Sequence, residues 1–112
     1  MLYAADNLGY IYAINLKNQS IIWAKNYGIP FRSNLKATNK QIFLANQDNV
    51  IYSISTTTGK KKWQFATSPT FLKSNFKNNF ALDIINNNLF FLNTSGELYS
   101  ISYLNQKINW VI

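Results

Sequence analysis

The sequence predicts an all-β protein made of a repeated antiparallel unit, and three observations lead to this prediction. Aromatic residues, mostly Tyr and Phe, make up 16% of the 112 residues, and such side chains favour pleated, packed strands. Short runs of them alternate with polar turns rich in Asn, Thr and Gly, as strands and hairpins do. Trp23, Trp63 and Trp110 are spaced 40 and then 47 residues apart, a period typical of repeat architectures.

The same two offsets relate a 22-residue segment that aligns three times without a gap. The segments run from Leu2 to Trp23, from Ile42 to Trp63 and from Leu89 to Trp110, and the first and third share 8 identical residues. Two further columns of matched positions are Tyr12, Tyr52 and Tyr99, and Gly9, Asn49 and Gly96. Because Gly and Asn tolerate a left-handed backbone, the second column predicts a tight hairpin at one place in each repeat.

Each repeat divides into strands separated by polar turns. The first strands are predicted at Leu2–Ala5, Ile42–Ala45 and Leu89–Leu92. After the hairpin, the second strands are predicted at Tyr10–Ile14, Val50–Ile54 and Glu97–Ile101. A third strand carries each Trp, and the links between repeats contain a fourth, at Phe31–Ala37 and Phe80–Ile85. Four antiparallel strands in a repeat of this length form the blade of a β-propeller.

We therefore expect a partial β-propeller of about three four-stranded antiparallel blades within a single segment, 1–112. The approximate blade limits are 1–27, 31–67 and 76–112, and the first blade lacks its opening strand. The middle strands do not alternate cleanly between apolar and polar residues, which indicates that both of their faces are covered by neighbouring blades. Since propellers close with about 4–8 blades, we expect either a segment of a larger protein or a ring closed by self-association.

The last hairpin of each repeat resembles the tryptophan-docking motif of pyrroloquinoline-quinone-type (quinoprotein-like) propellers, Ala-x-Asp-x-x-Thr-Gly-Lys-x-x-Trp. Residues 53–63 match it best, because they keep Thr58, Gly59, Lys60 and Trp63. The outer repeats depart from it, with Asn18-Gln19 and Asn105-Gln106 in place of Thr-Gly. The resemblance implies that each Trp is structural and fills the seam between neighbouring blades.

Within this repeat family, the sequence is similar in character to the BamB family of outer-membrane assembly lipoproteins, which use the repeat without the quinone. That resemblance implies a non-catalytic scaffold without a cofactor, on the periplasmic side of the outer membrane. Its partner would be a component of the β-barrel assembly machinery, or another copy of the chain. The alternative is a fragment of a quinone-dependent dehydrogenase whose cofactor site lies in missing blades. No signal peptide and no membrane-spanning apolar run are visible.

Residues with catalytic chemistry are few. The chain has no His and no Cys, and its four carboxylates are Asp6, Asp48, Asp83 and Glu97. All but Asp83 lie in or beside matched hairpin turns, where Asp commonly bonds its own backbone. Asp83 lies in a predicted apolar strand and is the acid to check for a perturbed pKa. We therefore predict no catalytic, cofactor-binding or metal-binding residue, and we interpret the matched Trp, Tyr and Gly or Asn columns, with Gly59, as structural.

The net charge of +7 raises nucleic acid as a partner. The basic residues are nevertheless spread along the chain, and only Lys60–Lys62 forms a run, beside a predicted turn. A solvated surface accounts for that distribution, so we expect no nucleic-acid partner.

Overall fold

In a computed structural model, the described residues are 1–67 and 78–112, and all regular secondary structure in them is β-strand. The strands are β1 (Leu2–Ala5), β2 (Tyr10–Asn15), β3 (Ser20–Asn26), β4 (Lys36–Ala37), β5 (Gln41–Ala45), β6 (Val50–Ser55), β7 (Lys61–Ala66), β8 (Asn79–Asp83), β9 (Asn88–Leu92), β10 (Leu98–Ser102) and β11 (Lys107–Val111). In these ranges there is no helix that is long and apolar enough to span a membrane.

The strands form three antiparallel sheets, each from consecutive strands. The first blade has three strands in the order β1-β2-β3, and the second and third blades have four each, β4-β5-β6-β7 and β8-β9-β10-β11. The predicted all-β partial propeller with an incomplete first blade is thus confirmed. The predicted first and second strands of each repeat match within one residue at either end. The blade limits stay a prediction, because residues 76 and 77 lie outside the described residues.

Two predicted strands are wrong at one end. The strand predicted at Phe80–Ile85 ends at Asp83, because the Asp83 carboxylate accepts the backbone N–H groups of Ile85 and Asn86, at 3.1 and 3.3 Å, and starts a turn. Ile84 and Ile85 therefore point away from the core, 62% and 90% exposed.

The strand predicted at Phe31–Ala37 is reduced to β4 and one bridge from Phe31 to Asn46. Between them, the Ser33 hydroxyl accepts the backbone N–H of Ala45 at 2.7 Å. A side chain therefore replaces the backbone partner that the ladder would have supplied.

The core consists of two apolar clusters, one at each seam between blades. At the first seam, Ile11, Ala13 and Trp23 of the first blade pack with the second blade, and at the second seam Phe43, Ala45 and Ile51 pack with the third. Successive residues of β5 point to alternate seams, and all five are buried. The expectation that both faces of an inner strand are covered is therefore confirmed for the second blade.

The second and third blades are also joined at their opening strands, where β4 lies beside β8. The Asn34 carboxamide accepts the backbone N–H of Phe80 at 2.7 Å and donates to its carbonyl oxygen at 3.0 Å. This side chain pairs with β8 as a neighbouring strand would, so it fixes the position of the third blade against the second.

Candidate functional site

The hairpin between the first two strands of each repeat has the same backbone geometry in all three blades. Gly9, Asn49 and Gly96 have φ angles of +94°, +61° and +85°, in the left-handed region that the matched column predicts. A second column caps these turns: one side-chain oxygen of Asp6, Asn46 or Asn93 accepts the backbone N–H groups two and four residues later, at 2.9–3.2 Å. The bonds of Asp6 are those expected of a turn carboxylate, whereas the equivalent role of Asn46 and Asn93 was not predicted, although the offsets of 40 and 47 residues align them with Asp6.

The matched tyrosines are tied to the same turns. The Tyr12 hydroxyl donates to the Asp6 carboxylate at 3.2 Å, and the Asn46 amide donates to the Tyr52 hydroxyl at 3.2 Å. In the third blade the Tyr99 hydroxyl lies 3.5 Å from a carboxylate oxygen of Glu97. Tyr52 and Tyr99 are buried in the seams, so these residues join the turns to the core.

Two of the four carboxylates, Asp6 and Asp83, accept backbone N–H groups of turns. The backbone N–H of Tyr10, together with other donors, holds the pKa of Asp6 below its ordinary value. The side chain of Asn86, together with backbone N–H groups, likewise lowers the pKa of Asp83. A general acid at neutral pH needs a raised pKa, so the perturbation found at Asp83 has the opposite sign. Among residues 1–67 and 78–112, no group of three His, Cys, Asp or Glu side chains could hold a metal ion.

At the first seam, Trp23 of the first blade is docked on the β6–β7 turn of the second. Its ring lies over Gly59, and its indole N–H donates to the carbonyl oxygen of Thr56 at 2.9 Å. The Tyr27 hydroxyl donates to the carbonyl oxygen of Gly59 at 2.6 Å, and burial raises the pKa of this hydroxyl, which favours the donating form. Trp23 is only 9% exposed, so this seam is closed.

At the second seam, the equivalent Trp63 meets a different turn. The residue that matches Gly59 in the β10–β11 turn is Gln106, which has the same left-handed backbone with φ +57°. A Cβ at Gly59 would stand 2.5 Å from the Trp23 ring, so the Cβ of Gln106 excludes Trp63 from the equivalent position. Trp63 keeps only its contact with Phe43 of its own blade, with ring centroids 6.0 Å apart, and stays partly exposed.

An open groove follows from this difference, and we call it the seam groove. It runs along the second seam from the opening strand of the second blade past Gln41, Tyr103 and Trp63 to the outer strands. Its inner part has a volume of about 380 Å³, which is within the range of ligand-binding clefts, about 300–1,000 Å³. Its middle part, about 230 Å³, is just below that range. Lys40 and Lys62 border it and are exposed.

Trp110 stacks on an aromatic residue of its own blade, as the other two Trp residues do, but no described residue of a neighbouring blade packs on it. Each Trp stacks on the aromatic residue of its own blade, in the pairs Tyr3–Trp23, Phe43–Trp63 and Phe90–Trp110, at 6.4, 6.0 and 6.1 Å. Trp110 is nevertheless 42% exposed, since no described residue covers that face of the third blade. Trp23 is thus buried at the first seam, Trp63 is partly exposed at the second and Trp110 is exposed, and the seam-filling role of this column stays a prediction, as does self-association.

A buried amide network crosses the second seam. The Asn49 amide donates to the Thr94 hydroxyl at 2.8 Å, and its oxygen accepts the backbone N–H of Thr94 at 3.1 Å. The Asn78 amide donates to the same oxygen of Asn49 at 3.1 Å. Asn49 and Asn78 are fully buried, so Asn49 combines the left-handed turn with hydrogen bonds between blades that Gly9 and Gly96 cannot make.

The three stacked antiparallel sheets, one of three strands and two of four, define the class of protein, a partial β-propeller. A family model described as outer membrane protein assembly factor BamB matches residues 1–111, and the chain therefore belongs to this family. The match confirms the repeat family that the sequence predicts.

Two solved structures show the same fold. BamB from Moraxella catarrhalis is 14% identical with a TM-score of 0.78, and Sqt1 from Saccharomyces cerevisiae is 14% identical with a TM-score of 0.80. Each superposition covers 97% of this chain, but only 36% of the BamB chain and 30% of the Sqt1 chain. The chain thus spans about a third of the length of these propellers. No curated protein matches the sequence.

Proposed function

We propose that this chain belongs to a non-catalytic propeller scaffold that binds another protein during the assembly of outer-membrane proteins, on the periplasmic side of that membrane. Similarity to BamB supports protein–protein interaction at a coarse level, and this family is generally non-enzymatic. The assembly role, the location and the partner are our extension of that similarity. Neither the family model nor the two propellers above point to the alternative, a quinone-dependent dehydrogenase.

One observation carries the proposal: an apolar patch on exposed turns of the third blade. The patch consists of Ile84 and Ile85 in the β8–β9 turn and Leu104 in the β10–β11 turn, with 62%, 90% and 61% of each side chain exposed. Both turns lie at the same end of the sheet, because β8, β9, β10 and β11 are consecutive antiparallel strands. Clustered exposed apolar side chains, unlike scattered ones, indicate a protein-binding surface.

Direct binding tests the proposal. The partner to use is the periplasmic part of the central component of the β-barrel assembly machinery from the same organism, measured by biolayer interferometry. We expect saturable binding that weakens about tenfold in the double variant Ile84→Ser, Leu104→Ser, as for central apolar interface residues.

The matched control is Leu8→Ser, because Leu8 is 69% exposed but lies in the β1–β2 turn, at the opposite strand end. Leu8→Ser should bind like the unchanged chain. Absence of saturable binding, or equal loss in both variants, would contradict the proposed surface.

A further inference from the structure

The seam groove and the closed first seam differ, among other positions, at the residue of the repeat that meets the Trp ring, Gly59 at the first seam and Gln106 at the second. Where Gly59 admits the ring of Trp23, Gln106 keeps Trp63 at the edge of an open groove. Two side chains of the groove wall, Trp63 and Tyr103, are held in place by packing on the buried Phe43, with ring centroids 6.0 and 5.0 Å from it. The aromatic wall is therefore organised before anything binds, which lowers the entropic cost of binding.

We propose that the seam groove binds an extended peptide segment in which an aromatic side chain is flanked by carboxylates. The inference rests on the proposed protein-binding function and names the chemistry of the segment that is bound. The ring of the peptide packs against Trp63 and Tyr103, because aromatic rings pack favourably in offset or edge-to-face contact. The Gln106 amide, which is exposed at the rim, offers a hydrogen bond to the peptide backbone.

The charge of the groove determines which residues can flank the aromatic residue of the peptide. Lys40 borders the inner part of the groove and Lys62 its middle part, and no Asp or Glu is among the described residues that line it. Two exposed cations around an aromatic wall complement carboxylates on either side of the peptide ring. A peptide with lysines in those places meets like charge and is rejected.

Single-stranded nucleic acid also combines rings with negative charge, but the lysine positions favour a peptide. Binding of a nucleic-acid backbone needs a row of cations along the groove. Here only Lys40 and Lys62 are among the described residues that line the groove, and Lys25, Lys61 and Lys107, on the outermost strands β3, β7 and β11, are not. Lysines in those positions protect exposed sheet edges from pairing with other strands.

The test follows the indole N–H signals by NMR during titration with the capped peptide Gly-Asp-Phe-Asp-Gly. Trp63→Phe assigns its signal. We expect a saturable shift of Trp63 alone among the three indoles, with a dissociation constant of about 1 mM or tighter. Capped Gly-Lys-Phe-Lys-Gly and Gly-Asp-Ala-Asp-Gly should bind at least about tenfold more weakly. Lys62→Gln should weaken binding of the acidic peptide, and added salt should do the same.

The decisive variant is Gln106→Gly, which lets Trp63 dock and closes the groove. It should weaken peptide binding about tenfold or more. Gln19→Gly is the matched control, because Gln19 has the same φ of +57° at the same position of the first repeat, far from the groove. This substitution removes the same left-handed backbone strain as Gln106→Gly and should leave peptide binding unchanged.

Three results would overturn the inference. The first is no saturable shift of Trp63, and the second is equal affinity in Gln106→Gly and Gln19→Gly. The third is tighter binding of an oligothymidine of about ten nucleotides than of the peptide. Failure of the two proposals is distinguishable: if the assembly-machinery partner binds but the peptide gives no saturable shift of Trp63, the groove proposal is wrong while the scaffold proposal stands. If the peptide binds but that partner does not, the proposed function is wrong.

Discussion

The indole of Trp23 and the backbone of Gly59 are in direct contact across the first seam. A methyl group at Gly59 would stand 2.5 Å from one ring carbon of Trp23 and 2.7 Å from another, well inside van der Waals contact. The indole hydrogen bond to Thr56 and the Tyr27 hydrogen bond to Gly59 come from the same blade and hold the same turn. A single turn of the second blade is thus clamped by the last strand of the first blade and the residue that follows it.

Gly59→Ala should destabilise the chain by about 2–5 kcal/mol. A left-handed backbone costs Ala about 1–2 kcal/mol, and the forced separation of Trp23 from the turn adds about 1–3 kcal/mol. Urea unfolding followed by circular dichroism measures the free energy of unfolding.

Gly28→Ala is the control for backbone strain, since Gly28 has a similar φ of +79° but no atom within 4 Å of an added Cβ. It should lose only the first of the two contributions. Equal losses for the two variants would show that Trp23 does not press on the turn.

The three tryptophans should differ in their contribution to stability, although they occupy the same position of the repeat. Trp23→Ala should cost about 3–5 kcal/mol, as other buried Trp truncations do. Trp110→Ala should cost less than about 1 kcal/mol because the side chain is 42% exposed, and Trp63→Ala should lie between them. Equal losses in urea unfolding would contradict the burial that distinguishes the seams.

Asn49→Gly should destabilise the chain by about 1–3 kcal/mol, even though Gly occupies the matched position of the other two repeats. The change removes backbone strain but takes away both hydrogen bonds between the Asn49 side chain and Thr94, and one of the two that the buried Asn78 amide donates, the other going to the Asn46 carbonyl oxygen. Gln19→Gly provides the comparison, because it relieves the same strain at an exposed position and should be neutral or slightly stabilising. If Asn49→Gly is as stable as Gln19→Gly, the amide network does not hold the second seam.

Stability should fall as the pH drops below about 4, in part through Asp6. The folded-state pKa of Asp6 lies below its unfolded value, about 3.9, mainly because of the backbone N–H of Tyr10. Its contribution is therefore present above the unfolded pKa and is lost as the pH falls through the folded pKa. Asp6→Asn should keep the turn, since Asn46 caps the matched turn, and should flatten this part of the pH profile. An unchanged acid slope in denaturant melts would contradict that assignment.

Most of the fold can be predicted because the same local constraints, a left-handed turn position between two apolar runs, occur in all three repeats. A Gly or Asn at one position requires a left-handed turn, and the apolar runs on either side of it can only be the strands of that hairpin. The error at Phe80–Ile85 arises because apolar residues resemble a strand whether or not they are buried. The turn that begins at Asp83 depends on hydrogen bonds of its side chain to Ile85 and Asn86, which compete with strand extension.

The candidate site was not predictable to the same degree. Gln106 is visible in the sequence as a departure from the docking motif, but its consequence depends on how close the ring of Trp63 would have to come. The Asn34 link to Phe80 and the Asn49 link to Thr94 join residues 46 and 45 positions apart, and no periodicity in one sequence indicates such pairs. Exposure of Ile84 and Leu104 likewise depends on which residues the turns include.

Hydrogen exchange of the indole N–H groups, followed by NMR, tests most directly whether one repeat position decides if a seam is closed. Exchange requires local opening of a protected group, so we expect Trp23 to exchange slowest, because its N–H is buried and bonded to Thr56. Trp63 should exchange much faster in the unchanged chain and should approach the slow rate of Trp23 in Gln106→Gly. If Trp63 is already as protected as Trp23, or if Gln106→Gly leaves its rate unchanged, Gln106 does not hold the second seam open.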